Sequence, residues 1–395
     1  MATIKRYVGA FFEMNHSNLS QNQKWVLGLI NLTSVVIFWV LSSFLVNALV
    51  EDDSYRKPFF ITYMNTGCFC FYLIPYLRHE RMSIGQFLSS LRQDYHKTRS
   101  VPKEEDEAMI NDYGSHDNLA DIQSSSVNIV DAVVVEVEEH IGLYETVKLS
   151  LQFLALWFSA NLVTNASLSY TSVASQTILS STSSFFTLLV GYLYSVENIN
   201  QNKILGLLLS FSGVMIVTEI DATSSNPDVS NVLVLWGNML ALSGALIYGI
   251  YTIMIKFKIS IKNSRKERTL NTHLFFGFVG VFCLVFLWPI LIFLHFTGYE
   301  TFELPPTSQI RTILLINAVI TFVGDFCWCN AVLLTSPLTV TVGLSMTIPL
   351  AMVGDWLIKG FKIRWWYLFG ASIVTLGFFI INRDEKEDFV REELD

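Results

Sequence analysis

Long apolar runs, separated by short polar stretches, recur along the whole chain. Ten of these runs approach the length of about 20 residues that a helix needs to cross the ~30 Å hydrocarbon core of a membrane. They cover residues 25–49, 58–77, 149–170, 173–194, 204–217, 232–255, 273–296, 313–334, 338–358 and 365–381. The pattern predicts an all-α integral membrane protein with ten transmembrane helices.

Composition and charge agree with this class and set the expected orientation. Of 395 residues, 52% are hydrophobic and 15% are charged, which is too apolar for a soluble globular protein of this size. With both termini in the cytoplasm, only six of the 26 Lys and Arg residues lie on the opposite side, as the positive-inside rule requires. We therefore place residues 1–24, the long loop 78–148 and the acidic tail 383–395 in the cytoplasm.

A stripe of polar side chains follows one face of the fourth run. Gln176, Ser180, Ser183 and Thr187 are spaced four, three and four residues apart, so they share a helix face. In the preceding run, Asn161 and Asn165 are four residues apart and also share a face. Two explanations stay open. Small hydroxyl side chains commonly mediate packing between membrane helices, whereas two aligned polar faces could also line a cavity.

The chain also repeats itself in part. Thr171-Ser172 returns as Thr335-Ser336, and Gly206 and Gly213 return as Gly370 and Gly377, all at an offset of 164 residues. These matches predict two halves of five spans each, at 25–219 and 232–382. Because five is odd, the second half crosses the membrane in the inverted sense, an arrangement that places a solute site between the halves.

Two carboxylates fall inside apolar runs. Asp325 lies near the middle of the eighth run, and because an intramembrane carboxylate is costly we favour a role in solute or proton binding over a structural hydrogen bond. Asp355 lies four residues before Lys359, so we favour a structural pair on one helix face. No Lys or Arg lies at the middle of a run, which disfavours a strongly anionic solute.

The sequence lacks the motifs of common enzymes and cofactor sites. No Walker loop, HExxH, GxSxG or GxGxxG motif occurs. The five Cys residues lie within apolar runs and no His lies at metal-ligand spacing, so we expect neither disulfides nor a metal site. Nothing has the charge footprint of a nucleic-acid interface. We predict no enzymatic activity, no cofactor, no metal and no nucleic-acid partner.

Three segments resemble a known family. They are KPFFITYMNT at 57–66, TSVASQTILSSTSSFFTLL at 171–189 and IPLAMVGD at 348–355. They resemble the F-type branch of solute carrier family 35, within the drug/metabolite transporter superfamily, and in particular fungal vacuolar-membrane and thiamine-repressible members. The resemblance implies ten helices in two inverted five-helix EamA-like repeats. It also implies an intracellular membrane, with the vacuole favoured over the Golgi, the endoplasmic reticulum and the mitochondrion.

Taken together, these observations predict a secondary-active transporter that moves a small solute through the lipid bilayer by alternating access. A thiamine-like cation or a neutral metabolite is favoured over a nucleotide sugar, because the basic residues on which nucleotide-sugar transporters rely have no counterpart here. The alternative is a membrane scaffold or receptor without transport activity, and a homodimer stays open. The candidate solute-binding residues are Asn65, Asn165, Gln176, Ser180, Asp325, Asn330 and Thr339.

Overall fold

The computed structural model describes residues 20–51, 57–100, 140–167, 170, 173–221, 231–260, 268–359 and 365–394. Nearly all of these residues lie in helices. They include an isolated β-bridge between His140 and Thr269 and form no β-strand. The prediction of an all-α chain is confirmed.

The helices are numbered here in chain order. The first eight are α1 (Gln21–Glu51), α2 (Pro58–Gly67), α3 (Leu73–His79), α4 (Ile84–Ser100), α5 (Leu143–Ser167), α6 (Val173–Ser181), α7 (Ser183–Leu193) and α8 (Gln201–Asp221). The remaining seven are α9 (Asn231–Ile259), α10 (Thr272–Phe286), α11 (Trp288–Phe296), α12 (Ser308–Leu334), α13 (Pro337–Gly343), α14 (Thr347–Lys359) and α15 (Trp365–Leu394). Short 3₁₀ segments, Cys68–Tyr72 and Leu344–Met346, join α2 to α3 and α13 to α14.

Seven stretches of the described chain are long and apolar enough to cross a membrane. They are Gln21–Leu45, Leu143–Thr164, Val232–Ile259, Thr272–Phe296, Ser308–Leu334, Pro337–Gly354 and Trp365–Phe389. They match seven of the ten predicted runs. Of the other three runs, 204–217 lies in α8, whose apolar part is shorter, while 58–77 and 173–194 each fall on two short helices. A multi-span protein is therefore confirmed, and the number ten stays a prediction.

The breaks inside predicted runs have local causes. At the α6–α7 break, the hydroxyls of Ser181 and Thr182 donate to carbonyls three residues back, at 2.7 and 2.5 Å, and so compete with the regular helical hydrogen bonds. At the other breaks a proline follows: Pro75 in α3, Pro289 in α11 and Pro349 in α14. Each removes a backbone N–H donor from the helix.

Four glycines bring α8 and α15 into backbone contact. A Cβ atom on Gly213 would lie 2.7 Å from the carbonyl oxygen of Gly370, and one on Gly377 would lie 2.6 Å from that of Gly206. Any larger side chain would therefore separate the two helices. Gly206 and Gly213 of α8, which the sequence repeat relates to Gly370 and Gly377, thus pack against those same two glycines of α15. Contacts between small residues are common where membrane helices pack together.

The two ends of the described chain meet at one end of the bundle. The Trp25 and Phe389 rings lie 5.3 Å apart, so the start of α1 and the end of α15 are neighbours. We call this the terminal end. The acidic residues 383–394, predicted as a separate tail, continue α15 as a helix. Within the loop predicted at 78–148, α4 packs against α5, and the Asp94 carboxylate accepts from the Tyr144 N–H at 2.7 Å.

A buried ion cluster holds the terminal end together. Lys203 at the start of α8 is only 1% exposed, and its Nζ lies 2.5 Å from Glu385, 3.1 Å from Asp388 and 3.8 Å from Glu197. Glu197 in turn accepts from the Leu338 N–H at the start of α13, at 3.1 Å. Burial, with the nearby Glu385 carboxylate adding to it, raises the pKa of Glu197 well above that of an exposed glutamate. The repulsion between Glu197 and Glu385, which share one ammonium group, is thus one cause of the raised pKa.

Lys203→Met tests this cluster. Among the described residues Lys203 is the ammonium that pairs with the buried Glu197 and Glu385. Its removal leaves these carboxylates without that partner, so we expect a loss of ~3–5 kcal/mol in stability and a clearly lower melting temperature. The measurement is thermal unfolding of the purified protein in detergent. Arg383→Met is the matched control, since the Arg383–Glu387 pair is largely exposed and should contribute less than ~1 kcal/mol. Equal melting temperatures for the two variants would contradict the assignment.

Candidate functional site

A cavity of about 550 Å³ lies inside the bundle. Its lining comes from nine helices, α1, α2, α5, α6, α7, α9, α12, α13 and α14, and from the 3₁₀ segment that joins the last two. More than half of the lining residues are polar. Among the described residues that line the cavity, Asp325 is the only Asp or Glu, and none is Lys, Arg or His. The cavity is therefore wide enough for a small organic molecule and carries one acidic group.

The cavity lies towards the end of the bundle opposite the terminal end. It is lined by the second halves of α1 and α5, at Ser42 and Thr164, and by the first halves of α2 and α6, at Thr62 and Gln176. At the terminal end the residues are tightly packed. Leu338, Thr339, Val340 and Val342 of α13 are each 0% exposed. The cavity is thus open to the surface, and the residues at the terminal end are closely packed.

The α5–α6 corner supplies the first polar wall. Asn161 in α5 donates through Nδ2 to the Trp157 carbonyl at 2.8 Å, and in α6 Gln176 donates through Nε2 to the Ser180 hydroxyl at 2.9 Å. All three polar side chains, with Ser183, line the cavity. Thr187, farther along the predicted stripe, is 0% exposed and packs where Gly249 of α9 approaches α7. The first part of the stripe, from Gln176 to Ser183, therefore lines a cavity, and Thr187 at its end packs against a neighbouring helix.

The second half supplies the acidic group and the broken-helix junction. Asp325 in α12 is 8% exposed and lies at the cavity wall, where the Trp39 side chain of α1 is its hydrogen-bonding neighbour. Across the cavity lie Ser345 and Thr347, at the α13–α14 junction. A helix break at this depth leaves backbone groups near the cavity, which is tolerated where the backbone borders water or protein.

The structure separates the predicted site residues into three groups. Asn65, Gln176, Ser180 and Asp325 line the cavity. The side chain of Asn165 lies outside the described residues. Asn330 and Thr339 lie away from the cavity. Asn330 accepts from the Thr272 hydroxyl at 2.9 Å, and Thr339 donates its backbone N–H to Ser336 at the α13 N-cap, at 3.1 Å.

The sequence prediction missed the aromatic part of the lining. Trp39, Trp157, Tyr248 and Tyr251 all border the cavity, yet each lies in an apolar run, where aromatic residues are equally typical of a core. Ser42 and Thr62 were also missed. Thr62 precedes Asn65 by three residues, a helical spacing that could have identified it.

A pair of amide substitutions distinguishes structural from cavity residues. Asn330→Ala leaves the buried Thr272 hydroxyl without its acceptor, so we expect a loss of ~1–3 kcal/mol in stability. Gln176→Ala leaves the Ser180 hydroxyl beside the open cavity, where water replaces the lost partner, so we expect little change. Thermal unfolding of both variants in detergent measures the difference. The opposite order of melting temperatures would mean that Gln176 is a packing residue.

Comparison with known proteins assigns the chain to a family. Residues 235–383 match the model of the EamA-like transporter family. An uncharacterised vacuolar membrane protein of Saccharomyces cerevisiae is 47% identical over 93% of each chain. A thiamine-repressible mitochondrial transport protein of the same organism is 40% identical, over 90% of this chain and 91% of the relative. Solute carrier family 35 member F5 of Bos taurus is 30% identical, over 95% of this chain and 81% of the relative.

One solved crystal structure has the same overall fold. It superposes with a TM-score of 0.55 at 10% identity and covers 91% of this chain and 98% of its own. The relatives' names and the seven apolar helices confirm a multi-pass protein of an intracellular membrane, with the vacuolar membrane favoured. Similarity to transporters over nearly the whole chain also confirms the predicted resemblance, and the chain belongs to the EamA-like transporters, in the F-type branch of solute carrier family 35.

Proposed function

We propose that the protein is a secondary-active transporter that carries a small solute across an intracellular membrane by alternating access. The observation that carries this proposal is a polar cavity that is open to the surface, together with the tight packing of the residues at the terminal end. A cavity that opens to only one side at a time is what alternating access requires.

We further propose that the chain crosses the membrane ten times, as two inverted five-helix repeats at 25–219 and 232–382. Two contacts and one structural correspondence support this arrangement. The repeat-related glycines of α8 and α15 pack against each other. The start of α1 meets the end of α15, which an even number of crossings requires. The α6–α7 break in the first half has a counterpart in the α13–α14 junction of the second half, and both border the cavity.

Opening the terminal end requires the separation of specific contacts. Lys256 near the end of α9 donates to the carbonyls of Leu333 and Thr335 at the end of α12, at 3.2 and 3.1 Å. Glu197 holds the N-terminus of α13, and Lys203 joins Glu197 to α15. The contacts of Glu197 and Lys203 link the first half to α13 and α15, and the Lys256 contacts join α9 to the end of α12 within the second half. We propose that they form the gate on the cytoplasmic side.

The residues that line the cavity limit the classes of solute that it can bind. A nucleotide sugar carries a diphosphate, whose negative charges need basic partners, and none of the lining residues is basic. A thiamine-like cation or a neutral metabolite is therefore favoured over a nucleotide sugar. Asn65, Gln176 and Ser180 would donate or accept hydrogen bonds to the solute, and Asp325 would bind a cation or a proton.

Cysteine accessibility tests the mechanism. Gln176→Cys and Thr339→Cys are introduced separately into an otherwise Cys-free protein in sealed vesicles, and a membrane-impermeant thiol reagent is added from either side. We expect Gln176→Cys to react from the non-cytoplasmic side in the state described here. Thr339→Cys should be protected in that state and should react from the cytoplasmic side once the gate opens. Trp236→Cys, on the exposed apolar face of α9, is the lipid-facing control.

Two outcomes would contradict the proposal. Protection of Gln176→Cys from both sides would mean that the polar stripe is a dry packing seam, as in a membrane scaffold or receptor. Reaction of Gln176→Cys from both sides at once, with no dependence on state, would mean a channel-like path rather than alternating access.

A further inference from the structure

One corner of the cavity combines an acidic group with aromatic faces. Asp325 lines the same cavity as Trp39, Trp157, Tyr248 and Tyr251. Four aromatic residues from α1, α5 and α9 therefore border the space into which α12 places a carboxylate. Aromatic faces attract cations through the ring quadrupole, and this attraction grows where water is excluded.

A second row of aromatic side chains holds the corner in place. The Trp328 indole donates to the Tyr248 hydroxyl at 3.0 Å. The Tyr248 and Tyr251 rings are 5.0 Å apart, and Tyr251 also contacts Trp328 at 5.7 Å and Phe153 at 5.3 Å, between ring centroids. The tyrosine faces are thus fixed before any ligand arrives, and a preorganised site loses less entropy on binding.

No cation of the described chain neutralises Asp325. The salt bridges among the described side chains do not include it, and the cavity lining has no Lys, Arg or His. Lys256 and Lys203, the buried lysines of the described chain, are engaged at the terminal end with carbonyls and carboxylates. A carboxylate in such surroundings is stabilised by a cation that enters from outside.

We propose that this corner, defined by Asp325, Trp39, Trp157, Tyr248 and Tyr251, selects an organic cation whose charge sits on a quaternary or aromatic-ring nitrogen. The proposal rests on the transport function proposed above and specifies its substrate class. The cation stacks on the aromatic faces while Asp325 supplies the opposite charge. A neutral solute of the same shape leaves the carboxylate uncompensated and binds more weakly.

The same geometry disfavours a metal ion as the ligand. Hard cations such as Ca²⁺ and Mg²⁺ need six or more oxygen ligands at short distance. The corner offers one carboxylate, and the aromatic faces beside it have no ligand atoms apart from the tyrosine hydroxyls. A large, weakly hydrated organic cation matches both the aromatic faces and the size of the cavity.

Binding by the wild-type protein is the first test. Full-length protein in nanodiscs is titrated calorimetrically with 1-methylnicotinamide and, separately, with nicotinamide, which has the same ring without the charge. Tetramethylammonium and neopentyl alcohol form a second cation and neutral pair of matched shape. We expect each cation to bind at least tenfold more tightly than its neutral partner. Equal affinities within both pairs would overturn the proposal without the need for any variant.

Substitutions then identify the residues that produce the preference for a cation over a neutral solute. Asp325→Asn should remove at least tenfold of the cation affinity and leave the neutral affinity almost unchanged. Tyr251→Leu should weaken cation binding severalfold through loss of the ring face. Glu303→Gln, a charge removal at a 70% exposed side chain, and Trp236→Phe, on the lipid-facing surface of α9, are the controls and should bind as wild type. Cation affinity retained in Asp325→Asn would overturn the proposal.

Uptake into proteoliposomes separates this proposal from the transport function. Cation binding with the expected preference but without uptake would refute transport and leave the recognition intact. Uptake of nicotinamide in preference to 1-methylnicotinamide would refute the recognition and leave transport intact. Loss of uptake in Asp325→Asn with cation affinity unchanged would assign the carboxylate to a later step, such as proton transfer, and would also overturn the proposal.

Discussion

The buried ammonium of Lys203 is the contact on which the closed end of the molecule depends. It joins the turn before α8, the extended part of α15 and, through Glu197, the N-terminus of α13. A buried charge is tolerated only when it is paired, because its desolvation is costly. The cluster therefore exists as a complete set or not at all. In the proposed alternating-access mechanism, this property suits an element that separates as a unit when the terminal end opens.

The helices that border the cavity with polar groups are interrupted. In α6 and α7, hydroxyls displace regular helical bonds at Thr182, and at the α13–α14 junction Pro349 removes a donor. These breaks place the backbone and the side chains of both halves beside one space. The unbroken helices α8 and α15 instead carry glycine contacts that hold two long segments together. Polar, interrupted helices thus border the cavity, and continuous ones support them.

Much of the fold could be predicted from the sequence, because apolar length and helical spacing are local properties. Gln176 and Ser180 were found through that spacing. Thr339 was proposed because it lies in the repeated copy of the same stretch, but it is fully buried at the tightly packed terminal end, where its N–H donates to Ser336. Trp39 and Tyr248 carry no signal that separates a cavity wall from a core. The pair of Lys203 and Glu385 joins residues far apart in the sequence, which no local pattern reveals.

The polar interruption of α6 and α7 also has a consequence for biosynthesis. At nine and eleven residues, neither helix is long enough to span a bilayer alone, and eight of the ten residues 175–184 carry hydroxyl or amide groups. A segment of this kind partitions weakly from the translocon into lipid. Its partner surface, α9, is made later by the ribosome. We therefore expect α6 and α7 to settle in the membrane only after α9 has been made, which would couple their insertion to the synthesis of a later segment.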